Sequence, residues 1–336
     1  MKYILRHLAL YALALWVSLT INFLLPRMMP GDPVSALIGR MRGRFTPQQI
    51  EALKKAYGFT DAPLMQQYFE YLSHVLRGDF GLSISAYPAR VSSIISTALM
   101  WTVVLGVVTL LLAFLLGSFL GVLVAWRRGG ILDAILPSFF NFIGSFPYFF
   151  LAMVALFILA FLLKWFPMAH AYSDDLSPGW SWDFAGSVGY HLVLPAGTIV
   201  LVSIGGWLIS MRSTMIAVLS EDYIVMAEAK GLPERLVMFR YAMRNAMLPN
   251  FTQFGMSVGF ILGGQILTEI VFSYPGLGFY LVRAVTAHDY PLMQALFLMI
   301  TLAILMANFV VDLLVLDNSS FHADALQSFG RERDRD

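Results

Sequence analysis

Cysteine is absent from the 336 residues, and charge is scarce. Without thiols there is no disulfide framework, no thiolate nucleophile and no Cys-ligated metal site. Only 13% of the residues are Asp, Glu, Lys or Arg, far below the quarter usual in a soluble domain. A net charge of +1 carries no signal for nucleic acid. The phosphate-cradling pattern G-x-x-x-x-G-K-[ST] occurs nowhere, and Lys230-Gly231 has the wrong order. The chain therefore has no P-loop of its own. Its six histidines, His7, His74, His170, His191, His288 and His322, include no H-x-x-x-H pair, which argues against a zincin-like site. Gly144-Ser145 lies within an apolar run, where such a pair is a packing contact or a kink rather than a protease nucleophile. No cofactor or metal site is expected in this chain.

Apolar length dominates instead. Hydrophobic residues make up 58% of the chain, and several runs exceed the roughly eighteen residues that imply a transmembrane helix. Six spans are expected, at about Leu8–Leu25, Ala98–Trp126, Leu132–Trp165, Tyr190–Met211, Phe251–Phe272 and Leu292–Leu316. The first follows Lys2, Arg6 and His7 and lacks a small-residue cleavage site, so it reads as a span rather than a signal peptide. The third is too long for one straight helix and too short for two. Pro137 and Pro147 inside it predict one tilted, broken helix.

Charge sets the orientation. Twelve of the 22 Lys and Arg residues fall in the N-terminus, the Arg127-Arg128 loop, residues 212–250 and the tail, against Lys164 and Arg283 in the short loops opposite. The positive-inside bias puts both termini in the cytoplasm, because the long 26–98 loop hardly votes. Within that loop Thr46-Pro47-Gln48-Gln49 predicts a capped helix to Tyr57, and Pro63 opens another through Leu76 to Arg77-Gly78. In the 166–190 loop, Trp180, Trp182 and Tyr190 fit an interfacial aromatic belt, with carbohydrate stacking as the functional alternative.

A polar island, SEDYIVMAEAKGLPERLVMFRYAMRNAMLPN from Ser220 to Asn250, separates two apolar runs. Ser220 is expected to cap a short helix, with Glu221 and Asp222 on its first turn and Tyr223, Met226, Ala227 and Lys230 as its stripe. Gly231 sits where a left-handed cap belongs, and Pro233 in the first turn of a second helix carrying Leu236, Phe239, Met243 and Met247 to Pro249. By pattern alone the pair is either a rigid knob between spans or an amphipathic pair lying on lipid.

The run AEAKGLPERLVMFRYAMRNAMLP resembles the EAA-type coupling loop of ABC importer permeases of the dipeptide, oligopeptide and nickel family. Glu269 to Gly278, with its Pro-Gly-x-Gly turn, resembles the same family, and the first loop, with Met29-Pro30-Gly31-Asp32-Pro33 and Gly78-Asp79-Phe80-Gly81, is similar to the extracellular segment in the first of that family's two permease types. The end differs: where relatives finish near Asp-Pro-Arg, this chain has Asp312 to Asp317, Asn318-Ser319-Ser320 and a charged tail from Arg331.

The resemblance implies an all-α integral membrane protein of the type I ABC importer permease fold, with six transmembrane helices and a helical extracellular loop after the first. Residues 1–317 would be one transmembrane permease domain, with 26–98 extracellular, 212–250 the cytoplasmic coupling loop and 318–336 a mobile cytoplasmic tail. The chain would sit in a bacterial or archaeal inner membrane as a non-catalytic subunit. Its partners would be membrane lipid, a second homologous permease as heterodimer, two ATPase subunits holding ATP and magnesium, and an extracytoplasmic substrate-binding protein. Glu221, Asp222, Tyr223, Ala227, Glu228, Ala229, Gly231, Leu232, Pro233 and Arg235 would couple to the ATPase. Asn141, Ser145, Gln265, Glu269, Pro275 and Gly276 are the pathway or gate candidates, Glu269 also as a salt-bridge partner. Peptides are the expected substrate, with oligosaccharides such as cello-oligosaccharides or nickel as alternatives. The rival of another class is an ion-coupled secondary transporter. It is disfavoured because the polar residues expected inside the spans (Asn141, Ser145, Ser203, Gln265, Asn308) are neutral.

Overall fold

The structure, a computed structural model, describes residues 2–28, 46, 48, 62–258, 261 and 265–309. Of the expected helix from Thr46 to Tyr57 only Thr46 and Gln48 are described, and the Met29 to Pro33 stretch and the tail 318–336 lie outside the described residues. Helix α1 (Lys2–Met28) leads to α2 (Leu64–Leu76), which Pro63 opens as expected and the positive φ of Gly78 follows. The two helices meet where Phe23 stands edge-on to Tyr68 at 5.1 Å and Arg27 Nη2 donates to Gln67 Oε1 at 2.9 Å.

The molecule is built around α3 (Val91–Trp126). No proline or charged residue interrupts its 36 positions, so it forms one continuous helix about 54 Å long at 1.5 Å per residue. Each of the four buried apolar clusters among the described residues contains part of it. Val91, Ile95 and Ala98 belong to the first, Trp101 and Leu105 to the second, Ala113 and Phe114 to the third, Val122 and Ala125 to the last. Its most extensive partner is α6 (Trp182–Leu219), whose N-cap Ser181 accepts from the Phe184 N–H at 3.2 Å. Small residues let the two backbones close up. A Cβ on Gly117 would stand 2.8 Å from the Ile204 carbonyl oxygen, and one on Gly121 2.7 Å from that of Leu208.

Between them lie α4 (Ile131–Gly144) and α5 (Tyr148–Leu162), apolar helices bent 92° apart. The expected break is there, at Pro147, which disfavours helical conformation in the residue before it. Pro137, expected to share in it, stays inside α4. A second correction concerns the 166–190 loop, which ends early because α6 begins at Trp182. After α6 come α7 (Asp222–Ala229), then α8 (residues 234–258, π-helical over Val237–Ala242), α9 (Ile266–Val271), α10 (Leu277–Thr286) and α11 (Tyr290–Phe309).

By length and composition α3, α6 and α11 can cross a membrane, and α4 with α5 makes a fourth if that bent pair is one span. The apolar part of α1, Ala9–Leu25, falls just short of that length. The fifth expected span is not one helix: Ile261 is a turn residue and Gln265 is not helical, which separates α8, described to Val258, from α9.

Candidate functional site

The knob forms at the C-terminal ends of α3 and α6. Its turn follows from one backbone conformation. Gly231 has φ +72°, its N–H bonds the Glu228 carbonyl at 2.8 Å, and the Leu232 N–H bonds that of Ala227 at 3.3 Å. Those two bonds are the Schellman closure of α7, and the left-handed residue suits glycine. A Cβ at Gly231 would meet nothing within 4 Å, so the requirement there is conformational rather than steric.

Other details of the knob differ from expectation. Ser220 closes α6, with its Oγ on the Ala217 carbonyl at 2.6 Å, and Glu221 takes the N-cap position of α7 without a side-chain bond. Asp222 occupies the first turn as expected, and Pro233 stands one place earlier, as N-cap of α8. The buried stripe of α7 is Ile224 and Ala227, while Tyr223 and Met226 are 39% and 59% exposed. On α8 the buried face is Val237, Met238, Ala242, Ala246 and Asn250. Phe239, Met243 and Met247 instead line an open groove with Arg240, Arg244 and Phe251. Pro249 does not end that helix, which runs on to Val258.

Buried methyl and thioether groups hold the knob down: Ile224, Ala227, Val237 and Met238 pack on Val122, Ala125, Met211 and Met215. Polar ties flank that core. Trp126 Nε1 donates to Glu234, and Asn245 Nδ2 donates to the Tyr223 hydroxyl at 2.8 Å. Arg212 Nε meets Asp133 Oδ1 at 2.6 Å, and the Gly129 N–H bonds the other carboxylate oxygen at 2.9 Å. Glu228, Ala229, Gly231, Leu232, Pro233 and Arg235 thus form the turn of a braced two-helix projection, with Tyr223, Val225 and Met226 left uncovered.

The gate candidates divide. Asn141 and Ser145 are exposed at the α4–α5 corner, where Ser145 Oγ returns to the Asn141 carbonyl at 2.9 Å. Of the five residues expected as the buried polar set, only Gln265 is fully buried; Ser203 and Asn308 are partly covered. Gln265 donates to Thr109 Oγ1 at 3.3 Å. Glu269, Pro275 and Gly276 come together at the opposite end of α3 from the knob. Glu269 is 1% exposed, and its partners are not a cation, as a salt bridge would require. Thr102 Oγ1 donates to its Oε1 at 2.7 Å, and the Gly278 N–H donates to Oε2 at 2.7 Å. Gly276 is the N-cap of α10 and has no side chain to bond the first turn. The Glu269 carboxylate occupies the space a Cβ on Gly276 would need, so the glycine admits the very group that replaces its cap.

Two groups at this end escaped the sequence reading. Thr102 gave no signal, being 167 residues from Glu269. Asp289 had one, since an Asp just before the last apolar run is an N-cap signature. Fully buried, it accepts from the Leu292 N–H at 3.2 Å on one oxygen. On the other it takes Ser83 Oγ at 2.5 Å, the Ser85 N–H at 2.8 Å and Ser85 Oγ at 2.7 Å.

Comparison with known proteins fits this architecture. Residues 117–316 match the family model described as binding-protein-dependent transport system inner membrane component, and residues 1–114 match the corresponding N-terminal model. The dipeptide transport system permease protein DppB of Lactococcus lactis is 34% identical over 314 residues, 93% of this chain and 96% of that protein. A probable peptide ABC transporter permease of Sinorhizobium fredii is 34% identical over 312 residues, again 93% and 96%. The glutathione transport system permease protein GsiC of Escherichia coli is 33% identical over 315 residues, 94% and 96%. With both family models covering nearly its whole length, the chain belongs to the inner membrane components of binding-protein-dependent transport systems, as a multi-pass permease subunit and not an enzyme.

Proposed function

We propose that this permease forms half of the pathway of an ATP-driven importer of peptides, with a homologous but distinct permease as the other half. The observation that carries the reading is the knob: a glycine-closed turn braced on α3 and α6, with Tyr223, Val225 and Met226 facing outward from it. An uncovered apolar patch on a short helix anchored by only Ile224 and Ala227 fits a partner surface. A separate ATPase supplies that partner, and two of them closing on ATP displace the knob and bias the bundle between two packings. Residues 221–235 are the proposed contact, with Gly231 setting its shape. Substrate arrives from an extracytoplasmic binding protein, and the names of the relatives make peptides the first choice over oligosaccharides or nickel.

In this arrangement six spans cross the membrane within a single domain, residues 1–317. These are α1, α3, the α4–α5 pair, α6, residues 251–272 and residues 292–316. Residues 26–98 lie outside, and 212–250 and both termini lie in the cytoplasm, as the Lys and Arg distribution favours. The loop end of α3, with Glu269 and Pro275-Gly276, then stands at the outer mouth as the gate. Asn141, Ser145 and Gln265 are the proposed pathway residues.

The test is purification of the tagged chain from its native membrane. ATP-hydrolysing subunits should accompany it, and Gly231→Glu should abolish uptake of a labelled dipeptide while hydrolysis continues. Solute movement by the purified chain alone under an ion gradient would contradict the reading.

A further inference from the structure

We infer that Thr102 and Glu269 are a positioning pair that fastens the gate helices α9 and α10 to α3, so that they move with it; this rests on the function proposed above. The Thr102 hydroxyl donates to Glu269 Oε1 at 2.7 Å and accepts from the Leu277 N–H at 2.8 Å. Glu269 Oε2 takes the Gly278 N–H at 2.7 Å. Two side chains thus link three helices and bond two N–H groups in the first turn of α10.

Apolar contact alone would not fix that relation. Val91, Ile95 and Ala98 of α3 pack against Leu277, Leu281 and Ala284 of α10, and the attraction between such surfaces is non-directional. Directional bonds between buried groups do fix it, because any shift strands a donor or a carboxylate that is 1% exposed. Gly276 and Gly278 permit the approach: a Cβ on Gly276 would displace the carboxylate, and one on Gly278 would stand 2.6 Å from Ile266 Cα. The same α3 is packed onto the knob by Val122 and Ala125 at its other end. Displacement of the knob therefore reaches α10 through one uninterrupted helix and this pair.

The absence of cysteine allows site-specific spin labels, in an assembled transporter whose other subunits are made cysteine-free. Labels replace Ser93 on α3 and Val282 on α10, both exposed. The native pair should give one narrow distance distribution that ATP does not move. Thr102→Val, which keeps the shape and removes both bonds, should broaden it about two-fold without nucleotide, and ATP should then shift its mean. Glu269→Ala should do the same. If both variants stay as narrow and as insensitive to ATP as the native chain, or if ATP separates the native pair, the fastening is refuted. A stabilising cap with no positioning role would lower the unfolding midpoint and leave the folded distance unchanged, which also refutes it. A reference pair at Leu13 and Arg240, both exposed and outside the proposed ATPase contact, reports whether ATP moves the knob. If that pair is silent, the motor reading fails, while the nucleotide-free widths still decide the fastening.

Discussion

At its C-terminal end α3 meets the knob mainly through apolar side chains, Val122 and Ala125 against Ile224, Ala227 and Val237, with one exposed bond from Trp126 Nε1 to Glu234. At its N-terminal end it meets α10 and α11 through similar apolar contacts, with two buried carboxylates added, Glu269 and Asp289. Neither carboxylate is paired with a cation among the described residues; hydroxyls and helix N-termini compensate both. The knob end is thus held mostly by buried apolar area, and its directional bonds are exposed to competing solvent. The loop end adds directional bonds that are buried. A lever that is gripped at one end and fixed at the other needs this asymmetry.

The largest effect should come from the carboxylate that has most donors. Asp289→Ala strands the Ser83 and Ser85 hydroxyls and uncaps α11, a loss of about 3 kcal/mol. Reversible unfolding in mixed micelles measures it, and an effect no larger than that of Ser83→Ala would remove the contrast between the ends. Next, one substitution compares the ends directly. Gly276→Ala drives a methyl group into the Glu269 carboxylate and should cost about 2 kcal/mol. Gly231→Ala meets open space and should cost about 1 kcal/mol of backbone strain, most of it recovered by Gly231→Asn. Equal costs would mean the loop end is not the tighter one. The smallest effect on stability, below about 0.5 kcal/mol, is expected for Met226→Ala on the uncovered face. Its consequence should appear instead in affinity for the ATPase, weakened by at least about 1 kcal/mol if Met226 is a central contact.

The same comparison explains what could be read from the chain. Gly231 was legible because a Schellman closure is made within six residues. The break at Pro147 was legible because proline acts on its immediate neighbour. The stripe of α7 was misassigned for a different reason: Tyr223, Ile224, Val225, Met226 and Ala227 are apolar on every side, so periodicity cannot say which face is inward. Ser220 misled because α6 overruns its apolar core to Leu219, leaving only a short gap between helices, and its hydroxyl serves the earlier one. Pro249 misled because α8 continues through it. At the loop end Glu269 stood out as an acid near a span, but the reason for it was not local. Its partner Thr102 is an ordinary threonine in an apolar helix, 167 residues away.

The central claim is that the uncovered face of the knob lies in the cytoplasm under an ATPase. Met226→Cys, the only thiol in the chain, tests it with a membrane-impermeant maleimide. No labelling in intact cells, rapid labelling in inverted vesicles stripped of the ATPase, and protection when the ATPase is restored are the predicted results. Labelling of Met226→Cys from outside intact cells, or labelling indifferent to the ATPase, would contradict it.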